Sequence, residues 1–332
     1  MPPVTYTAPT SFAETQSSSS GLPAAWILAQ GGLTRKLVDG LDVLGLGLFE
    51  EDPIDMAGQK ADAARWGDVS GVGFEQAMSS AGSEVSAITP STHTTAYGSV
   101  SIGEYVIAYN ETFRNQILMG GNGNGVSLTL DELTAMLPEN YLKTLRGLLY
   151  ADGATISAVT VGATTTDMSM DDMYDLVAAF AAKYGAGALG APILTLRASQ
   201  HSQIVESARS ESFLFGTDLI QKMQRVNAGQ VLVDPYGIGI NVALTDEVVS
   251  SGGVIKGFAV SPRTYKRATA SPRNVRVPVD ARKMVLDAFG LLIWERTGGN
   301  DTRTSGVNAY CNLGIGRRSA DTRFQALVRS KA

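Results

Sequence analysis

The spacing of apolar residues in the middle of the chain predicts two helices. From Thr129 onward, leucines and a tyrosine recur every three or four positions, and Thr129 with Glu132 has the spacing of a capping box. Pro138 lies inside this pattern and predicts a kink or a split. Ser169 and Asp172 repeat the capping-box spacing ahead of a second apolar stripe. Both segments are therefore expected to form amphipathic helices.

Beyond residue 192 the helical spacing gives way to short apolar and alternating runs, which predict strands. Residues 204–225 are mixed and predict a partly helical segment. Helices in the middle of the chain with strands before and after them indicate an α+β fold. The runs predicted as strands are 193–196, 230–233, 238–244, 254–260, 289–294 and 307–315.

Two polar runs ahead of the first helix, 83–95 and 100–109, predict the arms of a long β-hairpin. Apolar residues alternate in the second run, and the phase of the alternation changes at Gly103, which indicates a bulge or kink. A two-stranded hairpin with so little apolar area is marginal in water, so it must lie on something, such as a neighbouring copy. The candidate contacts are Val85, Ile88, Tyr97, Ile102 and Tyr105, with Trp26 from the Pro/Ser-rich N-terminal arm.

Composition favours a protein that buries much of its surface against partners. Charged residues make up 18% of the chain, below the usual fraction of about 25%, and interface cores are depleted in charge. Cys311 is the single cysteine, which excludes an intrachain disulfide and predicts a reducing cytoplasm. The first twenty residues lack the pattern of a secretory signal, and no apolar run is long enough for a membrane span.

Charge is distributed unevenly along the chain. Residues 262–332 carry 14 Lys or Arg and 5 Asp or Glu, a net of +9, whereas residues 1–261 carry 13 and 27, a net of −14. The basic region is expected to face nucleic acid or an acidic patch on a neighbouring copy, and chance imbalance on solvated surfaces is the alternative. The candidate residues are Arg317, Arg318, Arg323 and Arg329.

The residues that usually carry catalysis or bind metals are scarce and scattered. His93 lies in the polar hairpin, and His201 is expected to be a polar residue at the end of a short strand. One cysteine and two distant histidines cannot form a zinc site. The acidic run from Asp167 lacks the glycine and the final glutamate of a calcium loop, so helix-capping acids explain it better. We predict no enzyme, cofactor or metal.

The order of three motifs resembles the major capsid proteins of tailed bacteriophages, the Hong Kong 97-like fold. Leu148–Gly153 (LLYADG) ends the long helix, 192–197 (PILTLR) precedes a strand, and 237–246 (GIGINVALTD) follows. The resemblance covers roughly residues 80–320. It implies an N-terminal arm (1–66), an extended loop (67–118), a peripheral domain with a long spine helix (119–200), an axial domain (201–290) and C-terminal return strands with a tail (291–332).

The resemblance also implies how copies assemble. It predicts hexamers and pentamers in the icosahedral head of a tailed phage (Caudoviricetes), built in the host cytoplasm around genomic double-stranded DNA. Some members of the family crosslink a loop lysine to asparagine, but residues 61–142 hold no lysine. The short stretch ahead of the folded part predicts no cleaved scaffolding segment, so a separate scaffolding protein is implied, with a portal and possibly a decoration protein. The alternatives are an encapsulin-type compartment for cargo enzymes and a soluble α+β hydrolase.

Overall fold

The computed structural model describes residues 31–38, 48–49, 54–55, 63–70, 94–112, 125–184, 191–211, 239–272, 283–297, 304–320 and 323–332. The helices are α1 (31–38), α2 (Gly125–Gly153), α3 (Met170–Tyr184) and α4 (Ala198–Glu211), with a 3₁₀ turn at Asp287–Phe289. The strands are β1 (Ile54–Asp55), β2 (Ala63–Ser70), β3 (Thr94–Ser101), β4 (Gly103–Thr112), β5 (Val159–Val161), β6 (Ile193–Leu196), β7 (Asn241–Leu244), β8 (Ser250–Ser251), β9 (Val254–Val260), β10 (Tyr265–Thr269), β11 (Lys283–Leu286), β12 (Leu291–Thr297), β13 (Thr304–Arg317) and β14 (Gln325–Lys331).

One six-stranded sheet, here called sheet I, is built around the long strand β13. Its strand order is β1-β10-β13-β12-β11, and β4 is a further antiparallel partner of β13. Val307 pairs with Tyr109, and Cys311 pairs with Tyr105. The alternation predicted for 307–315 thus places one set of side chains on the face that packs against α2. Strands from distant parts of the chain must meet to form this sheet.

A second six-stranded sheet, sheet II, has helices against both of its faces. Its order is β5-β14-β9-β6-β7, with β8 beside β9. Helices α3 and α4 cover one face through side chains such as Phe180 and Ile204, which pack with Leu194 and Val328. Phe258 and other side chains pack with the end of α2. The strand β6 is buried along its whole length, as its continuous apolar run predicts.

Helix α2 joins the two sheets. Its 29 residues span about 43 Å at ~1.5 Å per residue. Leu137, Tyr141 and Leu145 pack on sheet I, whereas Leu149 and Tyr150 pack on sheet II. The helix continues through the buried Pro138 without splitting. The apolar face predicted for this helix therefore packs against two cores, that of sheet I in its middle and that of sheet II near its C-terminal end.

The capping box predicted at the start of α3 is confirmed by its hydrogen bonds. The backbone N–H of Asp172 donates to Ser169 Oγ at 3.3 Å, and the backbone N–H of Ser169 donates to the carboxylate of Asp172 at 2.8 Å. This reciprocal pair satisfies donors that the first turn of a helix leaves open. Of the acidic residues from Asp167 onward, Asp171 and Asp172 lie in the first turn of the helix, where negative charge is favoured.

Two predictions about local structure are wrong. Residues 103–112 do not form an arm of the hairpin, because β4 pairs with β13 in sheet I, and β3 pairs instead with β2. The phase change at Gly103 marks the point where the chain leaves one sheet for the other. His201 does not end a strand but lies in the first turn of α4, since residues 198–211 are helical. The predicted strand at 230–233 lies outside the described residues.

Candidate assembly surfaces and the junction between the sheets

In the described part of the chain, Cys311 is buried and His201 is half-buried. Within it, no three His, Cys, Asp or Glu side chains lie close enough to hold a metal ion. Burial raises the pKa of Cys311 to about 12, which keeps its thiol neutral, and burial lowers the pKa of His201. No described helix is both long and apolar enough to cross a bilayer. Cys311 is thus part of the core of sheet I, and His201 lies in the first turn of α4.

The β2–β3 hairpin forms a two-stranded sheet that is separate from both six-stranded sheets. Its register pairs Ala63 with Ser101 at the root and Ser70 with Thr94 at the far end of the pairing. At the root, Val100 is buried and packs with Ala268 of β10. The described side chains thus anchor the hairpin to the body at this end. A two-stranded ribbon of this kind has little stability of its own in water.

The residues predicted to contact a neighbouring copy fall in three places. Tyr97 lies on β3, paired with Gly67, in the hairpin. Ile102 packs at the hairpin root beside Val100, and Tyr105 packs against the chain's own core beneath α2. Trp26, Val85 and Ile88 lie outside the described residues. Contact with a second copy stays a prediction for all six residues.

The end of α2 is fixed to both sheets by an ion pair between Asp152 and Arg317. Arg317 Nη1 lies 3.2 Å from Asp152 Oδ2 and donates to the backbone oxygen of Asp152 at 3.1 Å. Arg317 is the last residue of β13 in sheet I, while Asp152 lies in the last turn of α2, which packs on sheet II. The buried hydroxyl of Tyr265 lies beside both groups without a well-formed hydrogen bond. This arrangement gives Arg317 a structural role that its sequence context did not indicate.

The residue after this aspartate, Gly153, is required by the packing of Phe258. A Cβ atom at position 153 would lie 2.2 Å from Phe258 Cδ1. The Phe258 ring is fully buried and lies between Tyr150 and Tyr265, with both ring centroids 6.2 Å away. The motif at 148–153 thus combines core leucines, an ion-pair partner and a close approach of backbone to an aromatic ring.

The stability of the protein should depend on pH through Asp152. Burial raises the pKa of this carboxyl, and the nearby Arg317 opposes the shift. The folded state therefore takes up a proton at higher pH than the unfolded state. The stability that this carboxyl contributes is fully present at pH values below the aspartate pKa of the unfolded chain. It is lost as the pH rises through the raised pKa of the folded state. We expect Asp152→Asn to lack this loss, so that its free energy of unfolding improves relative to wild type as pH rises from about 4 to 7.

Urea unfolding of the unassembled subunit at several pH values measures this difference. Glu247→Gln is a suitable control, because it removes a carboxylate that pairs with Arg146 of the same helix at 2.9 Å, in a pair whose side chains are about as exposed as those of Asp152 and Arg317. Its effect should be small, as for other surface ion pairs. The raised pKa of Asp152 would be refuted if the difference in free energy of unfolding between Asp152→Asn and wild type stayed constant with pH. A change of this difference in the opposite direction would also refute it.

The other basic candidates surround the start and body of β14. Arg318 and Arg323 lie close enough for Arg323, together with burial, to lower the pKa of Arg318. Arg329 lies directly opposite Lys256 of β9. Like charges in directly opposite positions repel each other, which destabilises the pairing of the two strands. All three arginines are half-buried. That these arginines face DNA or a neighbouring copy stays a prediction for Arg318, Arg323 and Arg329, whereas Arg317 is engaged with Asp152.

An apolar cleft between β4 and α2 was not foreseen from the sequence. Its volume is about 450 Å³. The floor belongs to the core of sheet I, and polar groups such as Glu104 and Asn140 lie at the rim. Val106 and Met136, on β4 and α2, are exposed by 66% and 51%. The apolar spacing within single elements predicted the core residues. It could not predict the cleft, because the cleft forms where elements that are distant in the sequence come together.

Comparison with known proteins finds similarity in structure and not in sequence. No protein-family model and no curated protein sequence matches the chain. The capsid of Ralstonia phage GP4 matches with a TM-score of 0.51 and 9% identity, over 85% of this chain and 86% of that chain. The capsid of a native GTA particle matches with a TM-score of 0.51 and 10% identity, over 96% and 95%. The mature capsid of bacteriophage PhiM1 matches with a TM-score of 0.50 and 7% identity, over 83% and 85%.

This likeness concerns the fold, and it covers nearly all of the chain. The α+β prediction and the resemblance to Hong Kong 97-like capsid proteins are both confirmed at that level. The chain therefore has the fold of phage capsid subunits.

Proposed function

We propose that the chain is the major capsid protein of a tailed bacteriophage, whose copies form the hexamers and pentamers of an icosahedral head. The observation that carries this proposal is the β2–β3 hairpin, a ribbon joined to neither main sheet in a chain with a capsid fold. In the described residues 63–70 and 94–101 its strands pair only with each other, and its described side-chain anchor is the contact of Val100 with Ala268. A neighbouring copy would supply the surface that such a ribbon needs.

The same surfaces account for the proposed partners. The hairpin would lie on adjacent copies, and many modest contacts would together stabilise the shell. The basic region, through Arg318, Arg323 and Arg329, would face the packaged double-stranded DNA or an acidic surface of a neighbour. A separate scaffolding protein and a portal complete the proposal, with a decoration protein as a further partner. Assembly would take place in the host cytoplasm, before the protein becomes part of the virion.

Size-exclusion chromatography with electron microscopy of the purified protein tests this function. We expect hexagonal lattices, tubes or closed shells, because the hairpin gains stability only when copies meet. A compact, monodisperse monomer at high concentration would contradict the proposal and would favour a soluble hydrolase. Closed shells that copurify with an enzyme and form without other head proteins would favour the encapsulin-type compartment.

A further inference from the structure

Two neighbouring strands of sheet II, β9 and β14, carry three basic side chains on one face. β14 lies between β5 and β9, and its Arg329 is directly opposite Lys256. Lys331 follows Arg329 by two positions, and alternate residues of a strand project from the same face. Lys256, Arg329 and Lys331 therefore form one group, here called the basic cluster.

The basic cluster lies on the face of sheet II that α3 and α4 do not cover. Val328 packs with those two helices, whereas Leu327 packs with Phe258 in the core at the end of α2. Arg329 and Lys331 are two and four positions beyond Leu327, so they share its face. Lys331 is exposed. A ligand in the solvent can therefore reach this part of the sheet.

No described group neutralises the basic cluster. None of its three side chains forms an ion pair with an acidic residue of the described ranges. Lys256 and Arg329 are half-buried, and the Nε atom of Arg329 is buried without a hydrogen-bond partner among those residues. Cross-strand partners lie about 5 Å apart at Cβ, and alternate residues of one strand lie ~6.6 Å apart. Like charges at such distances repel each other, and an anion held between them would remove that repulsion.

The phosphate groups of DNA suit the basic cluster better than a protein carboxylate does. A carboxylate carries one charge and neutralises one of the three cations, whereas double-stranded DNA presents one negative charge per ~1.7 Å of its axis. The guanidinium of Arg329 can donate two N–H groups to a single phosphate, and the longer, flexible lysines can reach the phosphates beside it. The chain as a whole has a net charge of −5, so attraction to phosphate must come from a local cluster of this kind.

We propose that Lys256, Arg329 and Lys331 form a binding site for phosphate groups on sheet II, with the backbone of double-stranded DNA as their source. The choice of DNA rests on the proposed function, whereas the site itself depends only on the fold. Lys256 adds a residue from outside the basic C-terminal region. The site reads no sequence, because its side chains contact phosphates and not base edges.

Fluorescence anisotropy of a short labelled DNA duplex with unassembled subunits tests this site. Each phosphate contact contributes about 0.9 to the slope with which log affinity falls against log salt concentration. The site variant carries Lys256→Gln, Arg329→Gln and Lys331→Gln, and we expect its slope to be smaller than that of wild type by about 2–3. Lys331→Gln alone changes an exposed side chain and leaves the fold intact, and it should reduce the slope by about 1.

A matched control variant removes three positive charges elsewhere. Lys143, Arg209 and Lys283 lie in α2, α4 and β11, and their replacement by glutamine changes the net charge by the same amount. The salt slope of this control should stay close to that of wild type. An unchanged slope in the site variant, or an equal reduction in both triple variants, would overturn the proposal.

Two further measurements on the site variant identify the source of the anion. If it bound the duplex like wild type but no longer bound inorganic phosphate, the site would be one for a free anion and DNA would be refuted as its source. If it bound the duplex like wild type but failed to assemble, the basic cluster would instead contact an acidic surface of a neighbouring copy. Wild-type subunits that bind the duplex as expected but never assemble would contradict the proposed function and still support the site.

Discussion

Removal of the outer part of the β2–β3 hairpin is expected to abolish assembly while the body of the subunit still folds. Gly67 and Tyr97 are directly paired, so deletion of residues 68–96 with an Asn-Gly turn in their place keeps the remaining register. The described residues of the deleted part pair with neither six-stranded sheet, so both cores keep their strands. The variant would lose the surface that we propose lies on adjacent copies. We therefore expect discrete subunits or small oligomers in place of shells.

Electron microscopy and size-exclusion chromatography measure the loss of assembly, and a thermal melt checks the body. The melting temperature of the unassembled variant should stay close to that of unassembled wild type, because the cores of sheets I and II are intact. A matched control replaces residues 68–96 by a Gly/Ser linker of equal length, which retains chain length and removes the ribbon. That control should also fail to assemble. Normal shells from the shortened variant would exclude the proposed role of the hairpin.

Gly153→Ala is expected to be among the most destabilising single substitutions in the chain. The added methyl group would lie 2.2 Å from Phe258, whose ring is confined by Tyr150 and Tyr265. Overpacking of a closed core costs about 1–3 kcal/mol and occasionally more. This cost opposes the ~0.5–1 kcal/mol by which alanine normally improves a helix interior. The net effect should be a clear loss of free energy of unfolding and of soluble yield.

Gly147→Ala provides the matched control, since it lies in the same helix. Position 147 is exposed, and a Cβ atom there would have no atom within 4 Å. This variant should be more stable than wild type by about 0.5–1 kcal/mol. Denaturant unfolding of the unassembled subunits gives both free energies. If the two alanines changed stability in the same direction and by similar amounts, the packing argument for Gly153 would fail.

Local signals in the sequence predicted those parts of the fold that depend on neighbouring residues. The capping box of Ser169 and Asp172 forms as predicted, because its partners are three residues apart. The strand at 193–196 is buried throughout, in agreement with its unbroken apolar run. Helix α2 follows its predicted apolar spacing from Leu137 to Leu145. In each case the sequence signal lies within the element itself, although distant strands and helices complete its packing.

Features that depend on contacts between residues far apart in the sequence were missed or assigned wrongly. The alternating residues from Tyr105 onward indicated a strand, but nothing in that segment shows that its partner lies some two hundred residues away in β13. Arg317 stood out only as part of a basic region, because its contact with Asp152 joins residues 165 positions apart. The cleft beneath α2 has no local signal at all, since four separate segments enclose it.

The placement of β13 and β14 has a consequence for the biosynthesis of the subunit. β13 pairs with three strands of sheet I, and β14 lies between β5 and β9 in sheet II. Neither sheet can therefore be completed until residues 304–331 have been translated, however early the helices form on the ribosome. A nascent chain would lack a finished surface for other subunits, and this delay would keep incomplete chains out of growing particles.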